Sequence, residues 1–196
     1  MALQFPKPKT LWMIFLFVIG FPTGRSTVSG YSVTADITVE NLTPYPLVEP
    51  VLRLSDGVKL SNPVDIQSNR KGTFNLRKKA ITATGTYGTV SWLVSENNRR
   101  FIVMWSVPYD TNLYRNWLGL GMTTVGHTYV PIWDVWFGMM YYDIENSYSK
   151  YLTYVNKKFE KKDLKPLNLR LASFNMTGTM TNSGNTQIMV KFQITK

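Results

Sequence analysis

The chain has 196 residues, 44% of them apolar, and a formal net charge of +10. It contains no cysteine and one histidine, His127, which excludes a disulfide scaffold and leaves no material for a His/Cys metal centre or for Ser–His and Cys–His catalytic pairs. One domain of this length must stand on a packed core.

Residues 1–26 read as a secretory signal peptide. Lys7 and Lys9 precede an eleven-residue apolar run at 11–21, too short to span a bilayer, and Gly24 and Ser26 supply the small residues of a cleavage site. An uncleaved hydrophobic anchor is the competing reading. Residues 27–196 form the expected domain. Loss of Lys7, Lys9 and Arg25 with the leader takes the charge from +10 to +7. Residues 31–39 alternate and are rich in β-branched side chains, which predicts a strand. Residues 42–50 hold three prolines and read as a connection or an edge. A short strand is expected at 72–76, a long one bent by two glycines at 81–94, and its partner at 100–107 after the turn at 95–98. Further strands are expected at 167–172 and 187–194. Many short strands joined by turns predict an antiparallel β-sandwich.

One segment departs from that pattern. In residues 131–142 the side chains of Trp133, Trp136, Phe137 and Met140 recur at helical spacing, with Pro131 tolerable near the first turn. The spacing predicts a short helix over 133–142, laid on one face of the sandwich. Its apolar residues run nearly all round, so part of it should stay uncovered. Residues 143–166 are polar and basic and read as a long loop or irregular crossover.

The basic runs Arg70–Lys71, Arg77–Lys79, Arg99–Arg100, Lys157–Lys158 and Lys161–Lys162 come with no nucleic-acid-binding motif, so no nucleic-acid partner is expected. The acids are scattered, with no close pair in an apolar setting that would separate two carboxylate pKa values. No catalytic residue, metal or cofactor is expected, and the chain does not read as an enzyme. His127 reads as a surface or packing residue. Two N-x-[ST] tripeptides make Asn41 and Asn175 candidate glycosylation sites.

The most informative stretch is SVPYDTNLYRNW at 106–117. Pro108 ends a strand because it cannot donate to the ladder. Behind it come Tyr109, Tyr114 and Trp117, with Leu113 as an aliphatic tip. Such a loop either exposes its aromatics, which suits a membrane–water interface, or tucks them under the sheet.

This block resembles the signature of the actinoporins, the pore-forming cytolysins of sea anemones, and of their relatives in other animals. ATGTYG at 83–88, Tyr141–Tyr142 and the stretch 178–196 with its Asn-Ser-Gly turn resemble the family's strand, paired helix tyrosines and C-terminal hairpin. The resemblance implies a mainly β fold: a single sandwich with one short helix packed on a face. It also implies a secreted, pore-forming cytolysin-like protein that binds target-cell membranes and recognises phosphocholine headgroups of phosphatidylcholine and sphingomyelin, with homo-oligomerisation on the membrane. A non-lytic lipid- or glycan-binding lectin-like protein on the same fold is the alternative. Carried over by position, the headgroup-binding candidates are Tyr87, Ser106, Pro108, Tyr114, Tyr141 and Tyr142. The membrane-contact candidates are Leu113, Trp117, Leu118 and Phe137. Phe137 stands where the family has a tyrosine, Leu113 where it has a loop-tip tryptophan, and Leu118 where it has the second residue of a Trp–Trp pair. The family's Arg-Gly-Asp stretch after the paired tyrosines is replaced here by residues 147–150. The family also carries an amphipathic helix ahead of its first strand. Cleavage near Ser26 would leave only residues 27–30 there, too few for a helix that crosses a bilayer. On that reading the protein either binds without the usual pore or keeps its leader and inserts it.

Overall fold

The computed structural model describes residues 33–160, 163 and 165–195. The expected leader lies outside the described residues. Among the described residues, eleven strands, one α-helix and a 3-10 turn at Ser149–Tyr151 follow in chain order: β1 Thr34–Leu42, β2 Leu47–Asp56, β3 Val58–Lys59, β4 Arg70–Arg77, β5 Thr86–Val94, β6 Arg99–Val107, β7 Asn116–Thr123, α1 Val135–Tyr142, β8 Leu152–Phe159, β9 Leu167–Leu171, β10 Phe174–Met180 and β11 Asn185–Ile194. Two sheets pack face to face, in the orders β3-β4-β1-β11-β10-β9 and β2-β5-β6-β7-β8. The fold is the mainly β sandwich with one short helix. All pairings are antiparallel except β1 with β11, which run parallel with Ile37 opposite Ile188.

Alternation along β1 and β11 sends Ala35, Ile37, Val39, Ile188, Val190 and Phe192 inward. There they meet Val103, Trp105, Leu118 and Leu120 of the opposite sheet. Phe192 stacks between Phe101 and Phe174 at ring-centre distances of 4.8 and 5.0 Å, which fills the sheet-to-sheet gap in the way close-packed cores require.

The five-stranded sheet has a second apolar layer on its outer side. All nine residues of β6 are buried: Val103 and Trp105 face the inter-sheet core, while Ile102 and Met104 face Trp136, Phe137, Met139 and Met140 of α1. Glycines in β7 make the seat. A Cβ on Gly119 would come within 2.9 Å of Met104 Cε and Met140 Cε, so a side chain there would force these two methionines to repack under the helix. Asn156 Nδ2 donates to the Met140 carbonyl at 2.7 Å and fixes the far end of α1 on β8.

The segment over 42–50, expected as a connection or an edge, agrees: β1 ends at Leu42, residues 43–46 connect, and β2, an edge strand, begins at Leu47. Several elements differ from the sequence-based expectation. The region 143–166 contains β8, an edge strand whose lysines make it look like a loop. The long strand expected over 81–94 begins only at Thr86. The helix begins at Val135, because Trp133 has φ +62 and cannot belong to a right-handed helix. His127 is a packing residue: its ring stacks on Tyr151 at 4.2 Å.

Candidate functional site: an aromatic pocket at one end of the sandwich

The β4–β5 loop, the β6–β7 loop and the C-terminal half of α1 meet at one end of the five-stranded sheet. They enclose a pocket of about 430 Å³. The β4–β5 loop contributes Ala83, Thr84 and Gly85; β5 and β6 contribute Tyr87 and Ser106; the β6–β7 loop contributes Pro108 to Asp110, Leu113 and Tyr114; and α1 contributes Phe137, Tyr141 and Tyr142. All six headgroup-binding candidates therefore line one cavity. Its size falls in the range of small-molecule sites, on the order of 300–1,000 Å³.

The pocket depends on a close backbone approach. A Cβ on Gly85 would lie 1.8 Å from the Val107 carbonyl oxygen, so only glycine lets β5 enter beside Pro108. Pro108 ends β6 at Val107, and the loop then closes on itself. Asp110 Oδ1 accepts from the backbone N–H groups of Asn112 and Leu113 at 2.8 and 3.4 Å. The Tyr114 N–H donates to the Asp110 carbonyl at 3.0 Å. Arg115 donates Nη1 to the Thr111 carbonyl at 2.8 Å and Nε to Glu160 at 2.9 Å. With its polar groups satisfied internally, the loop leaves Leu113 76% exposed and Tyr114 65% exposed. This decides the question the loop's composition left open: these two side chains point into solvent.

The wall on the helix side is a ladder of rings. Phe137 stacks on Tyr141 at 5.1 Å and lies 5.2 Å from Tyr87, and Tyr142 stands edge-on to Tyr141 at 4.7 Å. Burial raises the pKa of the Tyr87 hydroxyl, aided by the charge of Asp56, and burial also raises that of Tyr141 against an opposing hydrogen bond with Ser106. Both phenols are neutral at physiological pH. The pocket thus offers aromatic faces, hydroxyls and the Asp110 carboxylate, and among the described residues no basic side chain lines it. Such a lining suits a cation with an apolar shell.

Two membrane-contact candidates are displaced. Leu118 is fully buried between the sheets, where Gly178 makes room for it. Successive strand residues face opposite sides, so with Trp117 facing outward Leu118 must face in. Phe137 is only 5% exposed and forms pocket wall rather than an outer contact. Trp117 is half-buried, edge-on to Tyr141 at 5.4 Å. It lines an adjoining depression of about 280 Å³ with Leu113, Tyr114, Arg115, Lys158 and Glu160. The glycosylation candidates fare poorly. Asn41 is fully buried, with Nδ2 donating to the carbonyls of Tyr45, Ile66 and Gln67 and Oδ1 accepting from Thr43, so a folded chain has no place for a glycan there. Asn175 lies within the central strand β10 and is 9% exposed.

The sequence does not assign Tyr109, Asp110 or Thr84 to the pocket, and it does not show that Ile81, outside the pocket lining, turns outward. That side chain is fully exposed on the β4–β5 loop with φ +58. No sequence signal marks a β-branched residue for a left-handed backbone, which is rare.

A family model described as sea anemone cytotoxic protein matches residues 55–194. Relatives include tereporin-Ca1 of Terebra anilis, 41% identical over 169 residues that cover 86% of this chain and 88% of that one. Conoporin-Cn1 of Conus consors is 31% identical over 97% of this chain and 87% of its own. Bryoporin of Physcomitrium patens is 30% identical over 94% and 92%. Among solved structures, the lipid binding protein Nakanori superposes with a TM-score of 0.62 at 14% identity, covering 84% of this chain and 72% of that one, a likeness of fold. By the extent of these matches, the chain belongs to the sea anemone cytotoxic protein family, the actinoporins.

Proposed function

We propose that the protein is a secreted, membrane-binding cytolysin whose aromatic pocket takes the phosphocholine headgroup of phosphatidylcholine or sphingomyelin. The observation that carries this reading is the convergence of Tyr87, Ser106, Pro108, Tyr114, Tyr141 and Tyr142 on one cavity. A quaternary ammonium is held by ring faces through cation–π attraction, worth about 0.5–1 kcal/mol per exposed ring and more once desolvated. Asp110 adds a counter-charge. Leu113 then enters the interfacial layer at the loop tip, with Trp117 alongside; an indole with a polar N–H suits that depth.

The family's description as cytotoxic, and the names tereporin, conoporin, bryoporin and echotoxin among its relatives, support membrane damage as the outcome of binding; assembly into an oligomer on the membrane is part of the proposal. No helix among the described residues is long and apolar enough to cross a membrane.

The test is dye release from phosphatidylcholine–sphingomyelin vesicles, with soluble phosphocholine as competitor. Release that phosphocholine suppresses is expected. Vesicle binding without release selects the non-lytic, lectin-like alternative. Release indifferent to phosphocholine contradicts headgroup capture in the pocket.

A further inference from the structure

A second groove lies at the other end of α1, where Arg53, Leu54, Ile132, Trp133 and Asp134 enclose about 350 Å³. Trp133 is 80% exposed and Ile132 60% exposed. A bulky residue at φ +62 sits in sparsely populated backbone space, and such strain persists only where the surroundings enforce it. Arg53 donates Nε to the Pro131 carbonyl at 3.3 Å, which ties β2 to the segment leading into the helix. Among the described residues no carboxylate lies within ion-pair distance of Arg53, Asp134 included.

The groove and the pocket are neighbours. In the β2–β5 ladder Leu54 pairs with Gly88 and Asp56 with Tyr87, so the groove lies one strand away from the pocket wall. The eight residues of α1 span about 12 Å at 1.5 Å per residue, which sets the groove at its start apart from Tyr142 at its end. A surface that touches Leu113 and Tyr142 at one end of the helix can touch Trp133 at the other.

We infer that this groove is a second lipid-contact site, in which Trp133 and Ile132 enter the interfacial layer and Arg53 takes the phosphate of a second phospholipid. The inference rests on the reading that the neighbouring pocket docks on a bilayer. A guanidinium with no carboxylate partner among the described residues, beside indole and aliphatic surface, complements a phosphodiester above acyl chains: its remaining N–H donors match phosphate oxygens, and indoles favour the headgroup level. A second protein copy would leave the cation without that partner.

The absence of cysteine gives a clean test. Leu113→Cys and Trp133→Cys, each labelled with an environment-sensitive fluorophore, are mixed with phosphatidylcholine–sphingomyelin vesicles with and without nitroxide-labelled lipid. Both labels should brighten, and both should be quenched by the nitroxide. A response at position 113 alone overturns the second site and leaves the pocket reading standing. Silence at both removes the pocket reading and the inference with it. Brightening at 133 that the nitroxide does not quench means that another copy of the chain covers the groove, and also overturns the inference. In parallel, Trp133→Ser with an unchanged unfolding temperature should weaken vesicle binding about tenfold, as expected for an interfacial indole; unchanged affinity contradicts the assignment.

Discussion

On the outer face of the six-stranded sheet, Glu40 lies between Lys71 and Lys191 at 3.3 and 3.8 Å, and Asp36 accepts from Asn75 and Gln187 at 2.6 and 2.7 Å. On the outer face of the five-stranded sheet, Ile102 and Met104 are sealed by α1, and at one end of that helix Tyr142, Tyr114 and Leu113 stand exposed. The first face satisfies its polar groups among themselves and is finished in water. The second closes one apolar layer only to expose another. Exposed aromatics gathered around a cavity mark a binding surface, whereas apolar residues scattered singly would not. On the proposed reading, function in this fold sits where the sandwich carries its extra layer.

The largest expected effect contrasts two leucines five residues apart. Leu118→Ala removes a side chain packed between the sheets and should cost about 2–5 kcal/mol in urea unfolding. Leu113→Ala should stay within about 0.5 kcal/mol, the usual range for a surface change, yet weaken vesicle binding. Equal unfolding effects would erase the distinction between core and contact surface. Next, Asn41→Ala removes a donor from the carbonyls of Tyr45, Ile66 and Gln67 and leaves the buried Thr43 N–H without its acceptor, and should cost about 1–3 kcal/mol by the same assay, because an unsatisfied buried donor pays its desolvation in full. Mass spectrometry of the chain secreted from eukaryotic cells should find folded protein with Asn41 unmodified.

A smaller effect concerns pH. Hydrogen bonding to Arg115 holds the Glu160 carboxyl below its ordinary range, and hydrogen bonding to Lys157 does the same for Asp163. A folded-state pKa lowered in this way stabilises above the unfolded value and loses that contribution as pH falls through the folded one. The bracing of the β6–β7 loop by Glu160 should therefore persist at neutral pH and release below about pH 4, the ordinary carboxylate range. An NMR titration of the Arg115 Nε–H resonance reads it directly. The smallest effect belongs to the polar face. Lys71→Ala combined with Lys191→Ala should change stability by less than about 1 kcal/mol, as exposed ion pairs usually do, and leave vesicle binding untouched. A binding defect there would move the membrane surface to the wrong sheet.

How legible all this was depended on how simply each side chain's environment follows from its neighbours in sequence. β11 alternates strictly between exposed and buried over most of its length, and it was readable. β7 was missed because Gly119 and Gly121 argue against a strand, yet they are there to seat Met140. β8 was missed because an edge strand carrying Lys157 and Lys158 resembles a loop. Pocket membership was legible only through the family's motif, since residues from two loops, two strands and a helix must converge. Leu118 was misplaced by following the motif past the period-two rule that its neighbour Trp117 imposes. The outward turn of Trp133 was illegible, because helical spacing counted it in and only the backbone at φ +62 counts it out.

The central claim is that attachment runs through the aromatic end and not through the basic runs. Flotation with phosphatidylcholine–sphingomyelin vesicles at low and high salt, for the wild type and for Tyr114→Ala combined with Tyr142→Ala, tests it most directly. The account predicts wild-type binding that persists in high salt. It also predicts at least a tenfold loss in the folded double variant, since about 1.4 kcal/mol corresponds to a factor of ten. Unchanged binding by the double variant, or wild-type binding that salt abolishes as screened charge contacts would be, would contradict it.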